Sequence, residues 1–385
     1  MGKTKKIVEE TKIEEVEENT DFSKDLIKNI NSSLGEREVY NFSSPDEDAN
    51  IKGWISTGSK QLDYIISNKR NGGIPQSRIT EIFGPPSIGK SMLSYQLIKS
   101  VQKMGGIGIL IDTEYAVLPS YLEDIGINTK HNFVFSQQKC IEKIFNLIDM
   151  VITHTANKNK DIPILIALDS VAASASKAEL EADLEKSIIG ESARAYSRGL
   201  KKIVEVIGKY NVSLVLLNQT RTKIGVMYGD PEESCSGNAI KYYSSVRVKL
   251  SGGSAIYENE AKKDNIIGNK VIATTIKNKV SPPKRKCEFD ILFGQGLEEN
   301  EYIFDAMRQK GVARLDNKKI ILEGGGSWKY FKVIDESTGE LLVDETFYKV
   351  DFTNKILNKP EYKQYVDALM DETFIKTNNK DKEEE

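Results

Sequence analysis

Cysteine and histidine are scarce in this chain, with three of the first and two of the second in 385 residues. Cys140, Cys235 and Cys287 are odd in number, far apart and form no C-x-x-C pair. Neither a disulfide framework nor a zinc site is encoded by that spacing. His131 and His154 alone do not make a histidine-based metal site. A reducing cytoplasm suits such cysteine usage. Runs of about 18 apolar residues are absent too, so no segment is expected to span a membrane. The opening MGKTKKIVEE lacks the apolar stretch of a secretory signal. Lys6 stands where N-myristoylation after Met-Gly needs Ser or Thr.

A large excess of either charge is also missing. The net charge is −3, which by itself argues against a nucleic-acid partner, but the charge is unevenly placed. Residues 1–25 carry five Lys against eight Asp and Glu, and residues 371–385 carry three against six. Each end therefore holds −3, which leaves a body of +3 over 26–370. Acidic ends on a mildly basic body can compete for a basic surface, or can simply be solvated.

The length exceeds one typical domain, so one large core with smaller attachments is expected. Residues 1–20 are charged and poor in aromatics, the composition of a disordered segment. Phe22, Leu26, Ile30 and Leu34 recur by fours in an amphipathic helix stopped by Gly35. The 18 residues EREVYNFSSPDEDANIKG then read as an extended linker. From about Trp54 the texture is that of an α/β core. RITEIFG (78–84), GIGILIDTE (106–114), IPILIALDS (162–170) and VSLVLLNQT (212–220) are apolar runs separated by helical patterns, as in parallel strands buried on both faces. Their polar ends gather at the carboxyl edge of the sheet, where open α/β sheets bind ligands. After Gly296, EYIFDAMRQKGVARL and PEYKQYVDALM look helical and GGGSWKYFKVIDESTGELL looks like a loop and hairpin. These make a small α+β domain over 299–370, followed by an acidic tail over 371–385.

The motif with the most chemical content is GPPSIGKS (84–91), a Gly-x4-Gly-Lys-Ser phosphate-binding loop between a strand and a helix. Gly84, Pro85, Pro86, Ser87, Ile88 and Gly89 form the backbone cradle, and Met92 follows within the helix. Lys90 would reach the outer phosphates and the Ser91 hydroxyl would hold Mg2+. Asp169 is the carboxylate expected on the Mg2+ side. Asp112 and Glu114 lie on a neighbouring strand end, and Glu114, past the strand, is the better placed general base. Without the loop the same acids would be ordinary strand-end caps.

Gln219 ends the third strand, where a neutral amide suits a γ-phosphate sensor. TRTKIGVMYGDPEESCSG follows, too long and polar for a simple turn. Its Arg221 and Lys223 suit phosphates. Its Ile224, Val226, Met227 and Tyr228 are apolar groups in a cationic loop, as expected where unstacked bases insert. A packed surface loop or a subunit contact is the alternative. A second loop, 179–202, offers Ile188 and Ile189, then Arg194, Arg198, Lys201 and Lys202 on a helix. Alone, those cations read as a solvated face.

From STGSKQLD (56–63) to about Gly296 the chain resembles the RecA family of bacterial and phage recombinases. GPPSIGKS, IDTEYAVLPSYLEDIGI, ALDSVAA, NQTRTKIGVMYGDPEE, GNAIKYYSSVRVKL and IKNKVSPP stand in family order. The resemblance implies a RecA-type core with a mainly parallel sheet flanked by helices over 51–298. It also implies a polymerisation helix and linker over 21–50. The expected activity is that of an ATP-dependent recombinase, forming a helical filament on single-stranded DNA and exchanging strands with homologous double-stranded DNA. ATP and Mg2+ would lie between subunits. Lys90, Ser91 and Asp169 would take the nucleotide and metal roles, Glu114 that of the base, and Tyr121 would stack on adenine. Lys277 and Lys279 would reach a neighbour's γ-phosphate, with Gln219 linking the phosphate to the DNA loop.

Ile189, Arg194, Lys201, Arg221, Lys223, Ile224, Gly225 and Asn238 match DNA-contacting positions. Lys241 and Arg247 match contacting or anchoring ones, and Tyr242 an interface aromatic. Single-strand-binding and loader proteins are further partners, and no membrane is. Departures are Leu118 in place of an adenine-bonding Asp, Lys201 in place of Arg, Cys235-Ser236 in place of Thr-Gly, and loss of glycines at 181–187. They suit a phage-encoded or otherwise divergent member. A hexameric motor would share the P-loop but not NQTRTKIGVMYGDPE. A non-hydrolysing regulator would not keep Lys90, Glu114 and Asp169.

Overall fold

The computed structural model describes residues 22–35, 39, 51–158, 162–183, 190–222, 232–235, 237–259 and 261–377. Residues up to Asn50 form one compact unit and those from Ile51 form a second. In the first, helix α1 spans 22–34. Gly35, at φ 75°, ends it with its N–H on the Asn31 carbonyl. Phe22, Leu26 and Leu34 are exposed along α1. The expected disorder of residues 1–20 and most of the linker fall outside the described residues.

In the second unit, β1 (Trp54–Ile55) pairs with β2 (Ile74–Pro75) around α2 (Lys60–Ser67). The main sheet has ten strands. They are β3 (Ile79–Gly84), β4 (Ile107–Asp112), β5 (Phe133–Ser136), β6 (Ile164–Asp169), β7 (Val212–Thr222), β8 (Glu232–Ser234), β9 (Val246–Asn259), β10 (Asp264–Asn278), β11 (Lys286–Leu292) and β12 (Gly296–Glu298). The order is β12-β11-β10-β9-β3-β7-β6-β4-β5, with β8 paired to β7 off that path. Neighbours from β9 through β5 are all parallel, and β10 to β12 add antiparallel strands on one side.

The apolar runs are continuous because each strand feeds two cores. Leu110, Leu165, Ala167, Val215 and Leu217 pack on the face covered by α3 (Lys90–Lys103) with its Leu93, Leu97 and Ile98. Ile109, Ile111, Ile166, Leu168, Leu214 and Leu216 face the other way. They meet Ile144 and Ile148 of α5 (Ile141–Lys158) and, after the short α6 (Lys177–Glu181), Leu200 and Ile203 of α7 (Glu191–Lys209). At roughly 1.5–3 kcal/mol for each buried large side chain, this two-faced burial is the main force fixing the strand order.

The C-terminal part contains α9 (Asn300–Lys310), an antiparallel sheet of β13 (Val312–Leu315), β14 (Lys318–Glu323), β15 (Trp328–Asp335) and β16 (Leu341–Tyr348), and a last helix, Lys363–Phe374. The helical pattern expected across EYIFDAMRQKGVARL stops at Lys310. Gly311 takes φ 78°, and VARL pairs as a strand with KKII. The expected WKYFKVID hairpin is present as β15 and β16. A buried seam fixes this part to the core. Arg285 donates to the carbonyls of Tyr64 and Phe374 and to Asn68 Oδ1, and Tyr64 donates to Asp371. Glu299 caps α2, accepting from Ser59 Oγ at 2.6 Å and from the N–H groups of Lys60 and Gln61.

Candidate nucleotide and DNA site

The strand ends converge as their registers require. Gly84 lies opposite Gln219 on β7, and Asp112 opposite Asp169 on β6. Between β3 and α3 the loop 84–91 turns under tight constraint. Gly89 has φ 101°, and a Cβ there would meet Ile291 Cδ1 at 2.0 Å. A Cβ on Gly84 would meet the Leu250 carbonyl oxygen at 2.5 Å. Glycine is therefore required at both ends of the loop. Helix α3 has no side-chain cap at Gly89 and no acid in its first turn. Its first N–H groups and positive dipole end are left for an anion, a fit for phosphate. Ile88 is buried, while Pro86 and Ser87 are exposed around the loop.

Lys90 is buried, and its ammonium donates to the carbonyls of Gly84 at 3.1 Å and Pro85 at 2.6 Å. Burial lowers its pKa, while Asp169 and Glu114 pull in the opposite sense. Burial also pushes Asp169 up to about 6, against a hydrogen bond from Ser91 and with added repulsion from Glu114 and Asp112. A carboxylate that awkward in isolation is suited to a divalent cation. Among the described residues no three His, Cys, Asp or Glu side chains gather to hold a metal. Ser91 and Asp169 alone fit Mg2+, which takes one or two protein ligands and completes its shell with phosphates and water.

The neighbouring acids have separate tasks. Asp112 is buried and accepts from the backbone N–H groups of Glu114, Tyr115 and Val117, so it shapes the turn after β4. Glu114 is exposed and accepts from Ser170 Oγ at 2.6 Å. Thr113 clasps the two strand ends. Its Oγ1 donates to the Ser170 carbonyl and accepts the Ser170 N–H, both at 2.8 Å, and its own N–H donates to the Asp169 carbonyl at 2.7 Å. The clasp joins residues 57 apart in sequence, so nothing in the ALDS string announces it.

Tyr121, on α4 (Pro119–Ile125), is partly exposed and meets Tyr95 of α3 edge-on at 6.2 Å between centroids. Leu118 is the N-cap of α4, makes no side-chain cap bond and is exposed.

Beyond Gln219, β7 extends to Thr222 and pairs antiparallel with β8 as a two-stranded stem. Arg221 is exposed on that stem. Arg194, also exposed, pairs with Glu191 at 2.5 Å. Lys201 is exposed on α7, whereas Lys202 is bound to Asp149 of α5 at 2.8 Å. Asn238 opens α8 (Asn238–Tyr243), and its Oδ1 accepts from Lys241 at 3.3 Å. Ile188, Ile189, Lys223, Ile224 and Gly225 lie outside the described residues, as do Val226, Met227 and Tyr228.

Lys277 and Lys279 are not brought to the P-loop of their own chain. Lys277 lies opposite Arg247, and Arg247 opposite Glu81, three positions before Gly84 and two strands away. That is about 10 Å along the strands and about 10 Å across them, a span no lysine side chain covers. Its ammonium instead donates to the Lys241 and Tyr242 carbonyls at the end of α8, at 2.6 and 2.9 Å. Tyr242 is largely exposed beside it.

A P-loop between strand and helix, a strand-end carboxylate beside it and parallel neighbours on both sides define a P-loop nucleotide-binding α/β protein. A profile of the RecA N-terminal domain matches residues 22–298. The chain is 36% identical over 285 residues to Protein RecA of Cereibacter sphaeroides, covering 74% of this chain and 76% of that one. It is 37% identical over 274 residues to Protein RecA of Caulobacter vibrioides, covering 71% and 70%. It is 39% identical over 287 residues to Protein RecA of Helicobacter pylori, covering 74% and 76%. The chain belongs to the RecA family. It is a DNA-dependent ATPase of DNA recombination and repair.

Proposed function

We propose that the chain is a recombinase whose ATP site is completed by a second copy of itself in a filament on single-stranded DNA. The observation that carries this reading is the placement of Lys277 and Lys279 two strands away from the P-loop and several residues back from its level. Cations so placed serve a neighbour's phosphate and not their own, as point charges in the role of an arginine finger. ATP, when bound, supplies the anhydride that is hydrolysed, with Mg2+ neutralising its charge. The Gly84–Gly89 backbone and Lys90 bind the phosphates, and Ser91 with Asp169 holds the cation. Glu114, oriented by Ser170, takes the proton of the attacking water. Tyr121 stacks on the base, and Leu118 beside it leaves selection among bases loose.

Gln219 sits opposite Gly84 and begins the stem of the DNA loop, so one residue couples the phosphate to the loop. Arg194, Lys201, Arg221, Lys223 and Asn238 hold the strand's phosphates, while Ile189 and Ile224 separate its bases. The exposed apolar stripe of α1 docks on the adjacent copy. Homologous duplex is the second DNA partner. The division into an arm over 21–50, a core over 51–298 and a C-terminal domain over 299–370 belongs to the same reading.

The test is ATP hydrolysis with and without single-stranded DNA at low and moderate salt, with negative-stain images of the same samples. Strong stimulation with helical filaments is expected. Hydrolysis with closed six-membered rings would contradict the reading.

A further inference from the structure

Strand β3 carries a single charged residue, Glu81, in ITEIFG, and it is fully buried. Its Oε1 accepts from Asn218 Nδ2 at 3.0 Å, and its Oε2 accepts from Arg247 Nε at 2.5 Å. Both partners reach onward to the DNA loop. Asn218 Nδ2 also donates to the Cys235 carbonyl at 3.0 Å, and Asn218 Oδ1 accepts the Gln219 N–H at 2.9 Å. Arg247 Nη2 donates to Ser234 Oγ at 3.1 Å, and its guanidinium lies 4.7 Å from the centre of the Phe83 ring. The Cys235 N–H closes the circuit on the Gln219 carbonyl at 3.1 Å. The outgoing leg of the loop (Asn218, Gln219) and its returning leg (Ser234, Cys235) are thus tied, through Asn218 and Arg247, to one carboxylate on the strand that runs into the P-loop.

Stability does not demand this arrangement. A buried ion pair is commonly no better than apolar residues of the same volume, because desolvation offsets the attraction. Its distinguishing property is geometric, since it fixes two loop legs and the P-loop strand relative to one another. We propose that Glu81 is a positioning residue for DNA-stimulated ATP turnover. It holds the two feet of the DNA loop and the backbone of Gln219 at a set height against the P-loop. DNA bound at the loop is then felt at the phosphate end, and nucleotide is felt at the loop. This rests on the reading above that residues 220–235 bind single-stranded DNA.

The experiment titrates full-length wild-type protein and Glu81→Gln with poly(dT), measuring ATP turnover without DNA and across the titration, alongside thermal unfolding. Glutamine keeps the shape and the Asn218 bond but turns an amide against the Arg247 guanidinium. DNA-free turnover is expected to stay within about twofold of wild type. The poly(dT) needed for half-maximal stimulation is expected to rise about tenfold, the worth of one charge-assisted hydrogen bond. A variant with normal DNA response overturns the proposal, and so does equal loss of DNA-free and DNA-stimulated turnover, which marks a purely structural role. If Glu81→Gln does not fold, Ser234→Ala decides, because it removes only the Arg247 bond to the returning leg. A raised half-saturation supports the proposal, and an unchanged one overturns it. Wild-type protein that poly(dT) does not stimulate would instead refute the DNA-loop reading itself.

Discussion

Replacing Asp169 by asparagine sets the chemistry of the site against its stability. Asp169 is buried beside Ser91, and burial raises its pKa from 3.8 to about 6. The unfolded chain releases this proton more readily than the folded one, so ionisation works against folding. The penalty is absent well below the unfolded value and complete above the folded one. With those two values the penalty is about 1.5 kcal/mol at pH 5 and about 3 kcal/mol at pH 8. Asparagine has the same shape, still accepts from Ser91 and carries no charge. The nucleotide-free Asp169→Asn protein is therefore expected to be more stable than wild type, by an amount that grows by about 1.5 kcal/mol from pH 5 to pH 8. Urea unfolding of both proteins at the two pH values measures this, and ATP turnover should be lost in the variant. A variant less stable than wild type, or a stability gap independent of pH, would refute the reasoning.

Three other perturbations probe separate parts of the site. Thr113→Val keeps the shape but leaves the Ser170 N–H and carbonyl without their buried partner, so a loss of about 2–5 kcal/mol is expected in urea unfolding. Turnover should fall with it, because Ser170 orients Glu114. Leu118→Asp supplies the missing cap of α4 and should add about 0.5–2 kcal/mol of stability, while sharpening the preference for ATP over GTP in competition binding. Lys277→Ala removes the cation held by the last carbonyls of α8 and should abolish DNA-stimulated turnover, with nucleotide binding to the isolated protein, measured by fluorescence titration, unchanged.

Local pattern carried far in this chain. The strand–loop–helix context of GPPSIGKS and the polar ends of IPILIALDS and VSLVLLNQT depend on neighbours in sequence, and they sit at one sheet edge. Helix α1 and its Gly35 stop follow from spacing and backbone freedom alone. Long-range pairings were not legible. The Thr113–Ser170 clasp and the bonds of Glu81 to Asn218 and Arg247 join residues 57, 137 and 166 positions apart. A signal for the second was present, since one acid inside a buried apolar run requires a buried partner. The strand VARL looked like the end of a helix because its pairing partner, KKII, lies beyond the turn at 316–317, and Gly311 ends the helix just before it. Lys202 looked equivalent to Lys201 until Asp149 arrived from another helix.

In the proposed filament each ATP site is shared between two copies. Lys90→Ala lacks a working P-loop, and the double variant Lys277→Ala/Lys279→Ala lacks the cations offered to a neighbour. Each alone should hydrolyse essentially no ATP on single-stranded DNA. Mixed in equal amounts they should recover turnover, because about one interface in four joins an intact P-loop to an intact lysine pair. Mixtures as inactive as their components, or full activity in the lysine variant alone, would contradict the account.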